Sequence, residues 1–105
     1  MKKNVVIAVK EPRRKWVIQT VEDILPAYQH IVGGYIEHVY TTKEGIQIFG
    51  NEEGLIRQMP LNIILSEQFL FGTLFAVRSD EEGEFQSLTE EDFEALRLYE
   101  AGNEK

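Results

Sequence analysis

The residue types that could do chemistry in this chain fall in three short stretches. The first is His30-Ile31-Val32-Gly33-Gly34-Tyr35-Ile36-Glu37. Paired glycines between a helix and a strand let a ligand or another backbone come close, because no Cβ stands in the way. The same pair is also what a helix needs in order to stop. No Lys-Ser/Thr follows the glycines, and they lie at the end of the predicted helix rather than its start, so this is not a phosphate loop. The second stretch is Gly50-Asn51-Glu52-Glu53-Gly54. Its adjacent carboxylates could hold a hard cation such as magnesium or calcium, or serve as acid and base. Its glycines and asparagine are equally what an exposed turn uses, and the alternating ligands of an EF-hand loop are missing. The third is Arg13-Arg14-Lys15-Trp16. Cations beside an aromatic suit a phosphate and a stacked base, or a solvated loop next to a core tryptophan.

Other chemistry is poorly supplied. The chain has no cysteine, so it has no disulfide, no thiol nucleophile and no cysteine-ligated metal. His30 and His38 stand eight residues apart with no further histidine or cysteine to complete a zinc site. Glu37 and His38 are neighbours on a predicted strand and point to opposite faces. Ser66, Ser79 and Ser87 lack a nucleophile-elbow context. No catalytic residue, metal site or cofactor is expected.

Charge is distributed unevenly. The net charge is −7, yet residues 1–15 carry +5 and residues 80–105 carry −8. Overall acidity argues against general nucleic-acid binding, because phosphates are repelled. It leaves a basic partner, or plain surface solvation. With 105 residues and 43% hydrophobic content, the chain fits one domain over residues 1–105 with its own core. The longest apolar stretches, Val5–Val9 and the broken run Phe69–Val77, fall far short of the roughly 18 residues of a membrane span. The apolar run after Met1-Lys2-Lys3 is too short for a signal-peptide core. The expected setting is cytoplasmic, without membrane contact.

These residues need elements to position them. Asn4–Lys10 reads as a buried strand, and Trp16–Gln19 as a short strand or the approach to a helix. Thr20 offers a helix start with Asp23 at capping-box spacing, but Pro26 favours a main helix beginning near itself and closing at Gly33-Gly34. Tyr35–Thr41 and Ile46–Phe49 read as a hairpin. Leu55–Met59 reads as a weak strand, Leu61–Leu65 as strand or helix, and Phe69–Arg78 as one strong strand. Thr89 is a good N-cap for a last helix, with Leu88 and Phe93 at hydrophobic-staple positions and Gly102 as its stop. The expected fold is α+β: a single domain with a mostly antiparallel sheet of about five strands, and two helices on one face.

The order Leu25, Gln29, Val32-Gly33-Gly34-Tyr35-Ile36-Glu37, Asn51-Glu52-Glu53-Gly54, Pro60-Leu61-Asn62 and Gly72 resembles domain-of-unknown-function family 3846, over about residues 5–95. The resemblance implies a setting among small proteins of bacteria, phages and mobile elements. It supplies no reaction and no catalytic residue. Within it, Gly33, Gly34, Tyr35, Glu37, Asn51, Glu52 and Asn62 form the candidate ligand-binding set. Buried polar groups must be hydrogen-bonded, so these residues either brace two turns against each other or converge on a ligand. If the glycine corner and the Asn-Glu-Glu-Gly turn meet around a cleft, a ligand site is expected.

The leading expectation is a non-enzymatic binding protein, in the phage or mobile-element setting, that engages a host protein or a small signalling ligand. One alternative is an acidic decoy that mimics DNA through Asp80–Glu94. Another is a metal-dependent hydrolase using Glu37, Glu52 and Glu53. Homo-oligomerisation is open: an unpaired sheet edge invites a second copy, and the sequence does not show which strand is the edge.

Overall fold

A computed structural model describes residues 2–100. In chain order the strands are β1 (Asn4–Lys10), β2 (Val17–Glu22), β3 (Ile36–Thr41), β4 (Gln47–Asn51), β5 (Leu61–Leu65), β6 (Gln68–Phe71), β7 (Leu74–Ser79) and the short β8 (Phe85–Gln86). The helices are α1 (Leu25–Val32) and α2 (Glu90–Leu96), the latter continued by a 3-10 turn, Arg97–Tyr99. The main sheet runs β2-β1-β7-β4-β3, and β8 pairs with the end of β7. Every neighbouring pair in it is antiparallel. β5 and β6 form a separate hairpin.

β1 and β7 sit inside the sheet and are buried on both sides, which is why their sequences are apolar runs rather than alternations. Successive residues still point to opposite faces, and this divides the core in two. On one face Val5, Ile7, Phe75 and Val77 pack under Tyr28 and Val32 of α1. On the other, Ala8, Ile48, Leu74 and Ala76 pack under Ile63, Leu65 and Leu70 of the hairpin and Leu96 of α2. Ala8 and Ala76 are cross-strand partners, both fully buried. Two small side chains side by side let the covering layer settle close to the sheet.

α2 is fixed by its first turn. The Thr89 hydroxyl accepts from the Asp92 N–H at 3.1 Å, and the Asp92 carboxylate accepts from the Thr89 N–H at 3.0 Å, a capping box made with Asp in place of Glu. The same carboxylate accepts two hydrogen bonds from Arg78 of β7, at 2.8 and 3.0 Å. Arg78 also donates to the Glu44 carbonyl at 2.7 Å. One residue thus caps the helix and docks it onto the sheet. Leu88 is buried and Phe93 packs against the same core, as the staple spacing predicts.

The α+β class and the antiparallel sheet with two helices are as expected. Several finer expectations are corrected. The helices cover opposite faces, not one, because adjacent residues of β1 and β7 feed separate cores. Thr20 lies inside β2 and caps nothing; cross-strand pairing with β1 overrides its capping spacing. Phe69–Arg78 is two strands in two sheets, broken at Gly72, whose φ of 78° turns the chain. Leu55–Met59 is turn rather than strand, and Leu61–Leu65 is strand. Gly102 lies outside the described residues.

Candidate functional site

The two signature stretches meet. Gly33 ends α1 in the left-handed conformation at φ 81°. The carbonyls left over at that helix end need donors, and the Asn-Glu-Glu-Gly turn provides them. Asn51 Nδ2 donates to the Val32 carbonyl at 3.1 Å, and Arg57 Nη1 donates to the Gly33 carbonyl at 3.4 Å. Glu52 N–H donates to the Tyr35 carbonyl at 3.0 Å. The other end of the Asn51 amide, Oδ1, accepts from Glu53 N–H at 2.7 Å and shapes the turn. Gly34 is required by this closeness: a Cβ there would lie 2.7 Å from Asn51 Nδ2. The glycine corner admits another part of the same chain, and the buried Asn51 bridges the two turns.

Beside this joint lies a cleft of about 170 Å³ between the main sheet and the β5–β6 hairpin. Val39, Leu70 and Leu74 line its buried side. Leu55 and Phe69 form exposed apolar lips, 69% and 57% accessible. Glu37 and Glu52 contribute its exposed carboxylates. Ile56 and Tyr35, also strongly exposed, stand next in sequence to Leu55 and Ile36. Of the candidate residues, Glu37, Asn51 and Glu52 line the cleft. Tyr35, Gly33 and Gly34 belong to the adjoining joint. Glu53 is exposed and lies 3.8 Å from Arg57. Among the described residues no three His, Asp or Glu side chains are placed to share a metal ion.

Asn62 does not line the cleft. Its Oδ1 accepts from Lys10 Nζ at 2.8 Å, and its Nδ2 donates to the Lys10 and Gly72 carbonyls, each at 2.8 Å. It ties the hairpin to β1. Lys10 is only 1% exposed, and burial pushes its ammonium below the usual lysine range, against a smaller opposing pull from Glu100. Sequence reading missed this pair. The one available signal was parity, since Lys10 shares a face of β1 with Ala8, but a lysine at a strand end reads as the start of a loop.

The charge asymmetry of the sequence is folded back on itself. Trp16 N–H donates to the Glu100 carboxylate at 3.3 Å, and Trp16 Nε1 donates to the Tyr99 carbonyl at 3.4 Å. Trp16 is buried, while Arg13, Arg14 and Lys15 are exposed. Within the acidic stretch, Asp80 is engaged by the N–H groups of Glu82 and Glu84 and by Gln86. Asp92 is buried against Arg78. A larger concavity of about 620 Å³ beside Ser79–Glu82 is an open dish around one turn. No helix among the described residues is long and apolar enough to cross a membrane.

No curated protein and no solved structure matches the chain. The family model described as "Domain of unknown function (DUF3846)" matches residues 1–101, and the chain therefore belongs to that family.

Proposed function

We propose that the protein is a non-enzymatic binding module whose cleft, between the main sheet and the β5–β6 hairpin, takes one apolar side chain of a partner protein. The observation that carries this reading is the combination of volume and lining. At about 170 Å³ the cleft is below the roughly 300–1,000 Å³ usual for small-molecule sites. It is comparable to the ~150 Å³ apolar cavity that accommodates benzene. That favours a single aromatic or branched aliphatic side chain over a whole signalling metabolite. Exposed Leu55 and Phe69 supply the apolar contact area that anchors such a side chain. Glu37 and Glu52 favour a Lys or Arg next to it. In the phage or mobile-element setting that the family resemblance implies, the partner is a host protein.

The alternatives draw less support. A DNA mimic needs carboxylates arrayed along a surface, one charge per roughly 1.7 Å of axis, whereas Asp80 and Asp92 are engaged within the fold. For a hydrolase, Glu53 does not line the cleft that Glu37 and Glu52 share. A displayed library of short peptides, selected on the purified chain, tests the reading. Enrichment of an apolar residue flanked by Lys or Arg is expected. Turnover of a nucleotide or phosphoester panel with magnesium, abolished by Glu52→Gln, would replace binding with catalysis.

A further inference from the structure

The main sheet has two edges, and they are finished differently. β3 carries a register shift between His38 and Tyr40. It also presents exposed Glu37 and His38, and Tyr40 Oη is tied to Ser66 Oγ at 2.9 Å. Bulges and outward charges are devices that discourage strand pairing. β2 has none of them. Its six-residue register with β1 is regular, it holds no proline, and its first charged residue is Glu22 at the end. Val17 and Ile18 are 59% and 52% exposed.

The backbone of β2 is available as well. Val6 N–H donates to Ser87 Oγ at 2.8 Å, and the Val6 carbonyl accepts from Leu88 N–H at 2.9 Å. Val6 therefore turns its backbone away from β2. Its cross-strand partner Thr20 must then turn its own N–H and C=O outward, and by alternation so must Ile18. Among the described residues nothing bonds those groups.

We propose that β2 is a dimerisation edge, pairing antiparallel with β2 of a second copy about a twofold axis at Gln19. This register lets Ile18 and Thr20 exchange both backbone hydrogen bonds with Thr20 and Ile18 of the second copy. Val17 then faces the second copy's Val21, a close apolar cross-strand pair, and the two Gln19 amides meet at the axis. The choice of a second copy rests on charge. The strand is preceded by Arg13, Arg14 and Lys15 and ends in Glu22 and Asp23, so antiparallel self-pairing sets its basic end against its acidic end, twice. In this register Lys15, exposed and in no ion pair among the described residues, comes opposite Asp23 of the second copy on the same face of the sheet. Such self-complementarity is what an isologous interface requires. The interface is independent of the proposed cleft function.

Sedimentation of the full chain over a concentration series tests it. A concentration-dependent dimer is expected, and Thr20→Pro gives a monomer. That proline removes only an outward donor, the one position in a strand where proline is tolerated. Ile18→Lys, which changes an exposed side chain alone, should do the same if the proline disturbs folding. Lys15→Glu weakens the dimer about tenfold at low salt. A wild-type monomer at every concentration overturns the proposal and leaves the edge to an unlike partner. So does a dimer that survives both Thr20→Pro and Ile18→Lys, or one that Lys15→Glu leaves equally tight at low salt.

Discussion

On one face of the sheet α1 closes over an aromatic stack. Phase by phase along it, Phe75 lies 5.1 Å from Tyr28 and 5.2 Å from Phe49, and Phe85 meets Tyr28 edge-on at 5.0 Å. The polar ties at that face are Tyr28 Oη donating to Asp23 at 2.6 Å and, at the end of α1, Asn51 and Arg57 donating to the Val32 and Gly33 carbonyls; none interrupts the stack. On the other face the covering layer is held by discrete polar ties: Lys10 with Asn62, Arg78 with Asp92, and Tyr40 with Ser66. That face also carries the cleft. Apolar stacking is non-directional and makes a continuous core, whereas a few directional ties can hold a hairpin in place and still leave a gap beside it. The difference assigns structural work to the α1 face and places the candidate binding site on the hairpin face.

The comparison can be broken or sharpened by substitution. The largest effect is expected from Phe75→Ala, which empties the centre of the stack and costs about 4 kcal/mol in urea unfolding. That loss should appear throughout the molecule as one cooperative shift. Asn62→Ala comes next, at about 3 kcal/mol, because it leaves Lys10 buried without a partner and the Gly72 carbonyl without one of its donors. Native-state hydrogen exchange should rise first in the β5–β6 amides. A uniform rise across both faces would erase the distinction between them.

Asp92→Asn is expected to cost about 2 kcal/mol through weaker pairing with Arg78. The wild-type chain should show a matching acid dependence. The Arg78 guanidinium holds the Asp92 carboxyl below its usual range, against opposing burial. A carboxyl more acidic in the folded chain than in the unfolded one stabilises the fold above the unfolded value, and that contribution is lost as pH falls through the folded value. Stability measured by urea unfolding should therefore drop below about pH 4, and Asp92→Asn should flatten that part of the profile. The smallest stability effect belongs to Glu37→Gln with Glu52→Gln, within about 0.5 kcal/mol because both residues are exposed. That pair should still weaken binding of a basic peptide and remove its salt dependence.

Local signals were the most legible in the sequence. Gly33 at the end of α1, Thr89 at the start of α2 and the Leu88–Phe93 staple all follow from residue types at fixed offsets. The meeting of the glycine corner with Asn51 was legible only as a question, since spacing alone does not say whether two turns touch. What stayed hidden depends on long-range pairing. Gly72 divides an apolar run that reads as one strand, and only the partners of each half reveal two sheets. Lys10 meets Asn62 across 52 residues of chain, a contact no local pattern encodes. Phe69 and Leu55 read as ordinary apolar residues until the fold leaves them exposed beside one cleft.

The most direct measurement is calorimetric titration of the full chain with a selected peptide bearing an apolar residue beside Lys or Arg, compared with the Phe69→Ser and Glu37→Gln/Glu52→Gln variants. Saturable binding to the wild type is expected, lost with Phe69→Ser and weakened in the glutamine variant, while the melting curves stay close to wild type. Equal binding to all three proteins, or no binding peptide at all, would contradict the cleft as the site of function.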